Sequence, residues 1–409
     1  MPKLTTVTLK TTACVMAFGI AACASTPDSG GSSSSNASSS SAAAPTTPLK
    51  RDASALPELK AEFAQFKPQP TGNRSRIEYT IWDEALRSFV FFMGSSLRTR
   101  SSSVEPNAGT RIVYGHDSPY RLEGNRVRFS YFNDDVIDAL SDYRKDLETV
   151  PSQINFTGLS RNEQLAYWMN LHNVSIIEQI ARDYPISQPS RIELEINGTK
   201  YKLDDAPFIN VAGVAMSPKD IRTQIIYPNW SDPKVIYGLF RGDIGGPSIQ
   251  GDAFNRSNLN RLLKRSGREF VNSLRGVQNS RRGIRISDIY AEARPYYFQN
   301  WPNDIEQHLR QYAKEDVLKL LNEKDEIFTD LYEYDIADLA KGEIDPSYSN
   351  LVTVDESGGT PRDFGPSPSV ARLLNEFRQK IEIQRQRNGS RGTVTIIDIP
   401  TDADQEEID

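Results

Sequence analysis

Apolar positions along this chain change period from segment to segment. Between 76 and 94, Trp82, Leu86, Phe89, Val90 and Met93 keep helical spacing, and Gly94 stops the pattern. Asn133, followed by Asp134 and Asp135, reads as an N-cap with acids in the first turn. Val136, Ile137, Leu140, Tyr143 and Leu147 then form an apolar stripe. The clearest helix is predicted over 161–182. Ser160 and Glu163 have capping-box spacing, and Leu165, Met169, His172, Ile176 and Ile180 share one face, with Asn170, Asn173 and Ile177 beside it. Alternation takes over at 192–203. Ile192, Leu194 and Ile196 lead into Asn197-Gly198, and Thr199, Tyr201 and Leu203 lead away, which predicts a hairpin with a type I′ turn.

Further on, Ser217-Pro218 with Asp220 predicts a helix start with proline at its first position. Val235–Phe240 reads as a strand that empties into the glycine-rich loop 241–251. A basic amphipathic helix is expected over 256–275, a short strand at 284–286, and one or two helices over 302–322. Ser, Gly and Pro predict turns and short strands over 95–125. Helices and strands mix without a strict βαβ alternation, so the expected class is α+β: a single mixed core domain with several helices on a small, mainly antiparallel sheet. No internal repeat is visible.

The two ends have patterns of their own. Lys3 and Lys10 precede the small apolar run 13–22, which at about 10 residues is too short to span a bilayer. Ile20-Ala21-Ala22-Cys23 resembles the bacterial lipobox. That resemblance implies a signal peptide at 1–22, acylation of Cys23 with palmitate or similar chains, and, with Ala24 next, an outer-membrane anchor facing the periplasm. Two or more acyl chains hold a protein stably. Residues 29–41 hold nine serines and no apolar side chain larger than Ala, so 23–56 is expected to be a flexible tether reaching roughly 30 Å, or ~110 Å stretched. Residues 57–150 are expected to form an N-terminal lobe, 151–340 the core, and 341–409 a Pro/Ser-rich tail. The tail holds one amphipathic helix (Val370, Leu373, Leu374, Phe377, Ile381) and an acidic end, read as solvated or as partner-binding.

Composition narrows the chemistry. The chain has 409 residues and a formal charge of −6, which cleavage before Cys23 takes to −8; a general nucleic-acid binder needs a basic footprint instead. Its two cysteines, Cys14 and Cys23, leave no thiol for a disulfide, a zinc site or a nucleophile in the folded part. His116, His172 and His308 show no metal-ligand pairing, so no metal is expected. Neither a Walker loop nor a G-x-S-x-G elbow occurs, and no motif asks for a cofactor. A carboxylate pair of glycosidase type stays open.

Two constellations carry candidate chemistry. Asn170, His172 and Asn173 put two amides and an imidazole into an apolar helix. They are either a pocket floor, with His172 as acid/base, or a satisfied internal network. Arg241 and Asp243 stand on the glycine-rich loop, either as a ligand site or as an internal salt bridge fixing a turn.

The string 163–173 resembles the signature of the family known as domain of unknown function 547, with Ala166, Trp168, Asn170 and Asn173 matching and His172 where tyrosine is usual. Asp220-Ile221-Arg222, Ile225-Ile226, Leu239, Gly242 and Pro247 resemble later family positions, with looser echoes at 286–288 and 296–298. Gly246 stands where the family has Cys or Ser. The resemblance covers about 155–315. It implies that the two constellations belong to one domain, and, if that Cys or Ser is a nucleophile in relatives, that this chain lacks it. The leading expectation is a non-catalytic binding or assembly lipoprotein with an envelope ligand or protein partner at Asn170, His172, Asn173, Arg241 and Asp243. Its rivals are an envelope hydrolase or transferase with His172 as general base, and a purely structural lipoprotein.

Overall fold

The computed structural model describes residues 51–73, 75–106, 113–324, 326–343 and 367–387, all within one compact unit. The first apolar segment becomes helix α1 (Thr80–Phe89). It ends before Gly94, because the chain leaves it as strand β1 (Val90–Phe91) to pair with β2 (Arg126–Val127). All five predicted core residues of this segment are buried. Spacing located the side chains, and a distant strand set the helix end.

Helix α2 (Asp134–Gln153) starts as expected, with the Asn133 side chain accepting from the Val136 amide at 3.1 Å. Helix α3 (Arg161–Asp183) is covered on every side: all residues from Asn162 to Ala181 are buried, not one face. Its polar side chains therefore need internal partners. Only half of the expected capping box forms. The Ser160 hydroxyl accepts from the Glu163 amide at 3.3 Å, while the Glu163 carboxylate accepts from the Ile77 amide at 3.0 Å and ties down the approach to α1.

Strands β3 (Glu193–Ile196) and β4 (Thr199–Lys202) form the predicted hairpin, with Leu194 opposite Tyr201 and with Asn197 and Gly198 both at positive φ. A second hairpin, β5 (Ile209–Val211) and β6 (Val214–Met216), turns through Ala212-Gly213, also at positive φ. Helix α4 (Pro218–Asp220) begins with a complete Ser217–Asp220 capping box. It runs through a π-helical turn (Ile221–Ile226) into α5 (Tyr227–Asn229).

The expected strand at 235–240 is instead a buried 3₁₀ helix, Pro233–Gly238. It starts where the Asp232 carboxylate accepts from the Lys234 amide at 2.9 Å. A short buried apolar run has no period that separates helix from strand. The basic amphipathic helix is α6 (Leu259–Val271). It is followed by β7 (Val277–Asn279), β8 (Ile284–Ser287), α7 (Ile289–Tyr297), α8 (Asn303–Tyr312), α9 (Glu315–Glu323) and β9 (Ile327–Leu331). Strand β8 pairs antiparallel with β7 and parallel with β9. Helix α10 (Pro368–Arg387) lies against β1, with Phe377 edge-on to Phe91 at 5.2 Å between ring centres.

The class is α+β. Among the described residues the strands form three separate antiparallel pairs and one mixed three-stranded sheet, where a single small sheet was expected. One large apolar cluster joins α1, α2, α3, α6, α7 and α8. The signal segment, Cys23, most of the tether, most of the Pro/Ser-rich stretch and the acidic end lie outside the described residues. Arg51 donates to the Pro228 and Trp230 carbonyls, so contacts with the domain begin ahead of Leu56. Among the described residues no helix is long and apolar enough to cross a membrane.

Candidate functional site

Asn170 and Asn173 are one helical turn apart on α3, and each grips backbone. Asn170 Nδ2 donates to the Phe254 carbonyl at 2.7 Å and its Oδ1 accepts from the Phe254 amide at 3.0 Å. Asn173 does the same across Gly238 O (2.9 Å) and Phe240 N (3.0 Å). Residues 238–240 and 254 flank the glycine-rich loop. The two amides therefore hold both ends of 241–251, and Arg275 bonds its middle through Gly246 O and Ser248 Oγ.

His172 lies between Asn173 and Arg222 and is fully buried. The Arg222 guanidinium has five N–H donors and no acceptor. It makes paired bonds to Asp204 (2.6 and 2.6 Å) and to Glu292 (2.9 and 2.8 Å), and Nη1 also reaches His172 Nε2 at 3.2 Å. Arginine only donates, so Nε2 must accept and carries no proton. The proton then sits on Nδ1, facing Asn173 Oδ1 at 3.0 Å. Burial, then the Arg222 charge, lowers the imidazole pKa to about 3. His172 is thus a neutral link between an arginine and a loop latch, with its lone pair occupied.

Arg241 and Asp243 face a different space. They line an open cleft of about 180 Å³ with Asp204, Asp288, Tyr332 and Tyr334. The internal Arg241–Asp243 salt bridge weighed from sequence is replaced by other pairings. Arg241 bonds Glu292 at 2.7 Å, and Asp243 accepts from the Tyr332 hydroxyl (2.8 and 3.0 Å) and the Gly246 amide (2.9 Å). Burial raises Asp243 to about 6, against the pull of Tyr332 and Arg241. Asp204 moves the other way: burial opposes ionisation, but Arg222 outweighs it and holds the carboxylate below its usual range. Two neighbouring carboxyls are thereby set apart in acidity. Among the described residues no trio of His, Cys, Asp or Glu is placed to hold a metal ion.

Residues 156–271 match DUF547, a protein of unknown function. No curated protein and no solved structure matched the chain. The DUF547 segment runs from the approach to α3 to the end of α6, shorter at its C-terminal side than the stretch from 155 to about 315 read from motifs. It contains both amide latches, the loop they hold, Asp204, Arg222, Arg241 and Asp243. Glu292 and Tyr332 come from beyond it. At Gly246, where the motif resemblance puts Cys or Ser, an added Cβ would lie 3.1 Å from Asp243 Oδ1 and 3.4 Å from the Tyr332 hydroxyl. That position opens onto the Asp243–Tyr332 pair.

Of the five candidate side chains, Arg241 and Asp243 line the cleft, Asn170 and Asn173 hold the loop that carries them, and His172 bonds Asn173. Sequence reasoning missed Asp204 and Tyr332 as cleft residues and Glu292 as the partner of Arg241, and no local pattern marks them. Arg222 had a weak signal: a charge set among Ile221, Ile225 and Ile226, apart from the polar positions Lys219, Asp220, Thr223 and Gln224.

Proposed function

We propose that this protein is a lipid-anchored binding protein of the cell envelope, tethered at the outer membrane through acylated Cys23, that takes a small ammonium-bearing ligand in the Asp204–Asp243 cleft. The observation that carries the reading is the cleft's charge. Among the described residues, Asp243 and Asp288 line it without a basic ion-pair partner, while Asp204 beside them is paired with Arg222 and the one lining arginine, Arg241, is paired with Glu292. Tyr332 and Tyr334, ring centres 4.9 Å apart, add aromatic faces of the kind that attract organic cations. Gly246 supports binding over nucleophilic chemistry, since glycine offers no attacking group there.

Titration calorimetry with ethanolamine as probe tests this. Affinity is expected to rise about tenfold from pH 5 to pH 7, as Asp243 loses its proton near pH 6 and gains a charge that attracts the ammonium. Asp243→Asn is expected to bind weakly at both pH values. A pH-independent affinity, or none, overturns the reading. Palmitate labelling of the wild type, lost in Cys23→Ser, checks the anchor in the same preparations.

A second reading, an envelope hydrolase or transferase, is favoured by one observation: a carboxyl raised to about 6 beside a carboxylate held ionised is the arrangement of an acid and its partner. In this geometry the proton donor is Asp243, with His172 confined to positioning the loop. Turnover abolished by Asp243→Asn would establish this reading against the first.

A further inference from the structure

A larger cavity than the Asp204–Asp243 cleft lies elsewhere, between α6 and the chain following β1. It is an open groove of about 680 Å³. Arg98, Arg261, Lys264, Arg265, Arg268 and Lys314 line it, and Arg387 at the end of α10 closes one side. Only Glu269 and Asp316 oppose them, and Glu269 is paired with Arg275. This concentration of cations belongs to a chain of net charge −6.

The cations are arranged by the helix. Positions 261, 264, 265 and 268 follow i, i+3, i+4, i+7 spacing, so they form one stripe. The opposite face of α6, with Leu259, Leu262, Leu263, Phe270 and Val271, is buried in the core. Arg98 and Arg387 are fixed by backbone carbonyls of Ser273, Val277 and Leu97. Arg265 bonds Gln250 Oε1 at 3.0 Å. Among the described residues, Arg261, Lys264, Arg268 and Lys314 have no ion-pair partner. Unneutralised like charges crowded along a groove repel one another, and an anion removes that cost.

We infer that this groove binds a phosphate-bearing ligand with at least two anionic groups. Guanidinium forks match phosphate oxygens two at a time, which favours phosphate over an isolated carboxylate. At 1.5 Å per residue the stripe from Arg261 to Arg268 is ~10 Å long, more than one phosphate covers. The groove is separate from the Asp204–Asp243 cleft, has the opposite charge, and stands whether or not that cleft binds an amine.

The test uses the full chain with Cys23→Ser, so that no acyl anchor brings it to a membrane. Tripolyphosphate is the soluble probe, followed by calorimetry; phosphatidylcholine vesicles containing cardiolipin are the membrane probe, followed by co-sedimentation. Binding to at least one is expected, weakening as salt is added. Lys264→Glu with Arg268→Glu is expected to lower it at least tenfold. Lys200→Glu with Lys202→Glu, an equal charge change on the exposed β3–β4 hairpin, is expected to lower it less than twofold. Binding to tripolyphosphate alone assigns a soluble phosphate ester, and binding to vesicles assigns a lipid headgroup. Failure to bind either, or equal loss in both double variants, overturns the inference. Unchanged thermal melting of the variants keeps misfolding from imitating the expected loss.

Discussion

At the scale of single residues, the polar side chains of α3 act on backbone. An amide that both donates to and accepts from another segment replaces a missing strand pairing, and so fixes a loop that has no sheet of its own. Asn173→Ala removes both bonds, and the one from His172 Nδ1, and leaves Gly238 O, Phe240 N and that ring N–H unpaired inside the protein. A loss of about 1–3 kcal/mol in urea unfolding is expected, with the denaturant slope unchanged. An unchanged midpoint would show that water reaches the loop ends. The sequence made Asn170 and Asn173 conspicuous, two amides in an apolar helix, but their partners lie 65 to 84 residues away. No local spacing distinguishes an amide that grips a loop from one that grips a ligand.

Elements are where the sequence pattern succeeded and failed for clear reasons. The Asn133 cap, the β3–β4 turn and the helix start at Ser217-Pro218 are decided within four residues, and each formed as read. The 3₁₀ helix at 233–238 and the early end of α1 depend on segments far along the chain, and each differed from the local reading. Helix α10 shows both effects. Its amphipathic stripe was legible, but its mooring was not: Lys380 buries its ammonium against the Met93 and Leu122 carbonyls at 2.7 and 2.6 Å. Burial lowers that lysine to about 8. Arg121 and Glu376 add an ion pair at 2.6 Å. Lys380→Ala is therefore expected to raise amide hydrogen exchange across 368–387 at least tenfold, while α3 stays protected. Equal loss of protection in both helices would mean that α10 does not open separately.

Over the whole molecule, proton linkage follows from burial. His116, His172 and His308 are lowered to about 3, 3 and 4, mainly because burial disfavours their charged forms. Their contribution is complete above the unfolded value near 6.5 and is lost as pH falls toward the folded values. Asp243 and Asp338, raised to about 6 by burial, act in the opposite sense: the native state takes up their protons between about 6 and the unfolded value near 3.8. Near pH 5 the unfolded chain gains three protons on histidine while the native chain gains two on aspartate. For these five groups the net is about one proton, or ~1.4 kcal/mol of stability lost per pH unit, and Glu148, Glu163 and Asp183, also raised by burial, work against that loss. Below the usual carboxylate range, Asp204 and Glu292, held ionised against burial mainly by Arg222, steepen the loss. Urea unfolding at pH 7, 5 and 4 reads the slope. A stability that rises toward pH 5 would show that the raised carboxyls outweigh the neutral histidines.

What the sequence determined by itself is what short-range physics settles: caps, a tight turn, the faces of isolated helices, the absence of thiol chemistry in the folded part, and the α+β class. The tertiary structure alone decided which polar groups meet. Arg222 joins His172 to Asp204 and Glu292, the amides of α3 hold the loop, and Tyr332 closes on Asp243. The reason is physical. A buried polar group must be satisfied, but the rule names no partner; only the packed chain brings carboxylates and tyrosines from distant segments within reach. The same packing separates an acidic cleft from a basic groove on one domain, a division that net charge cannot show.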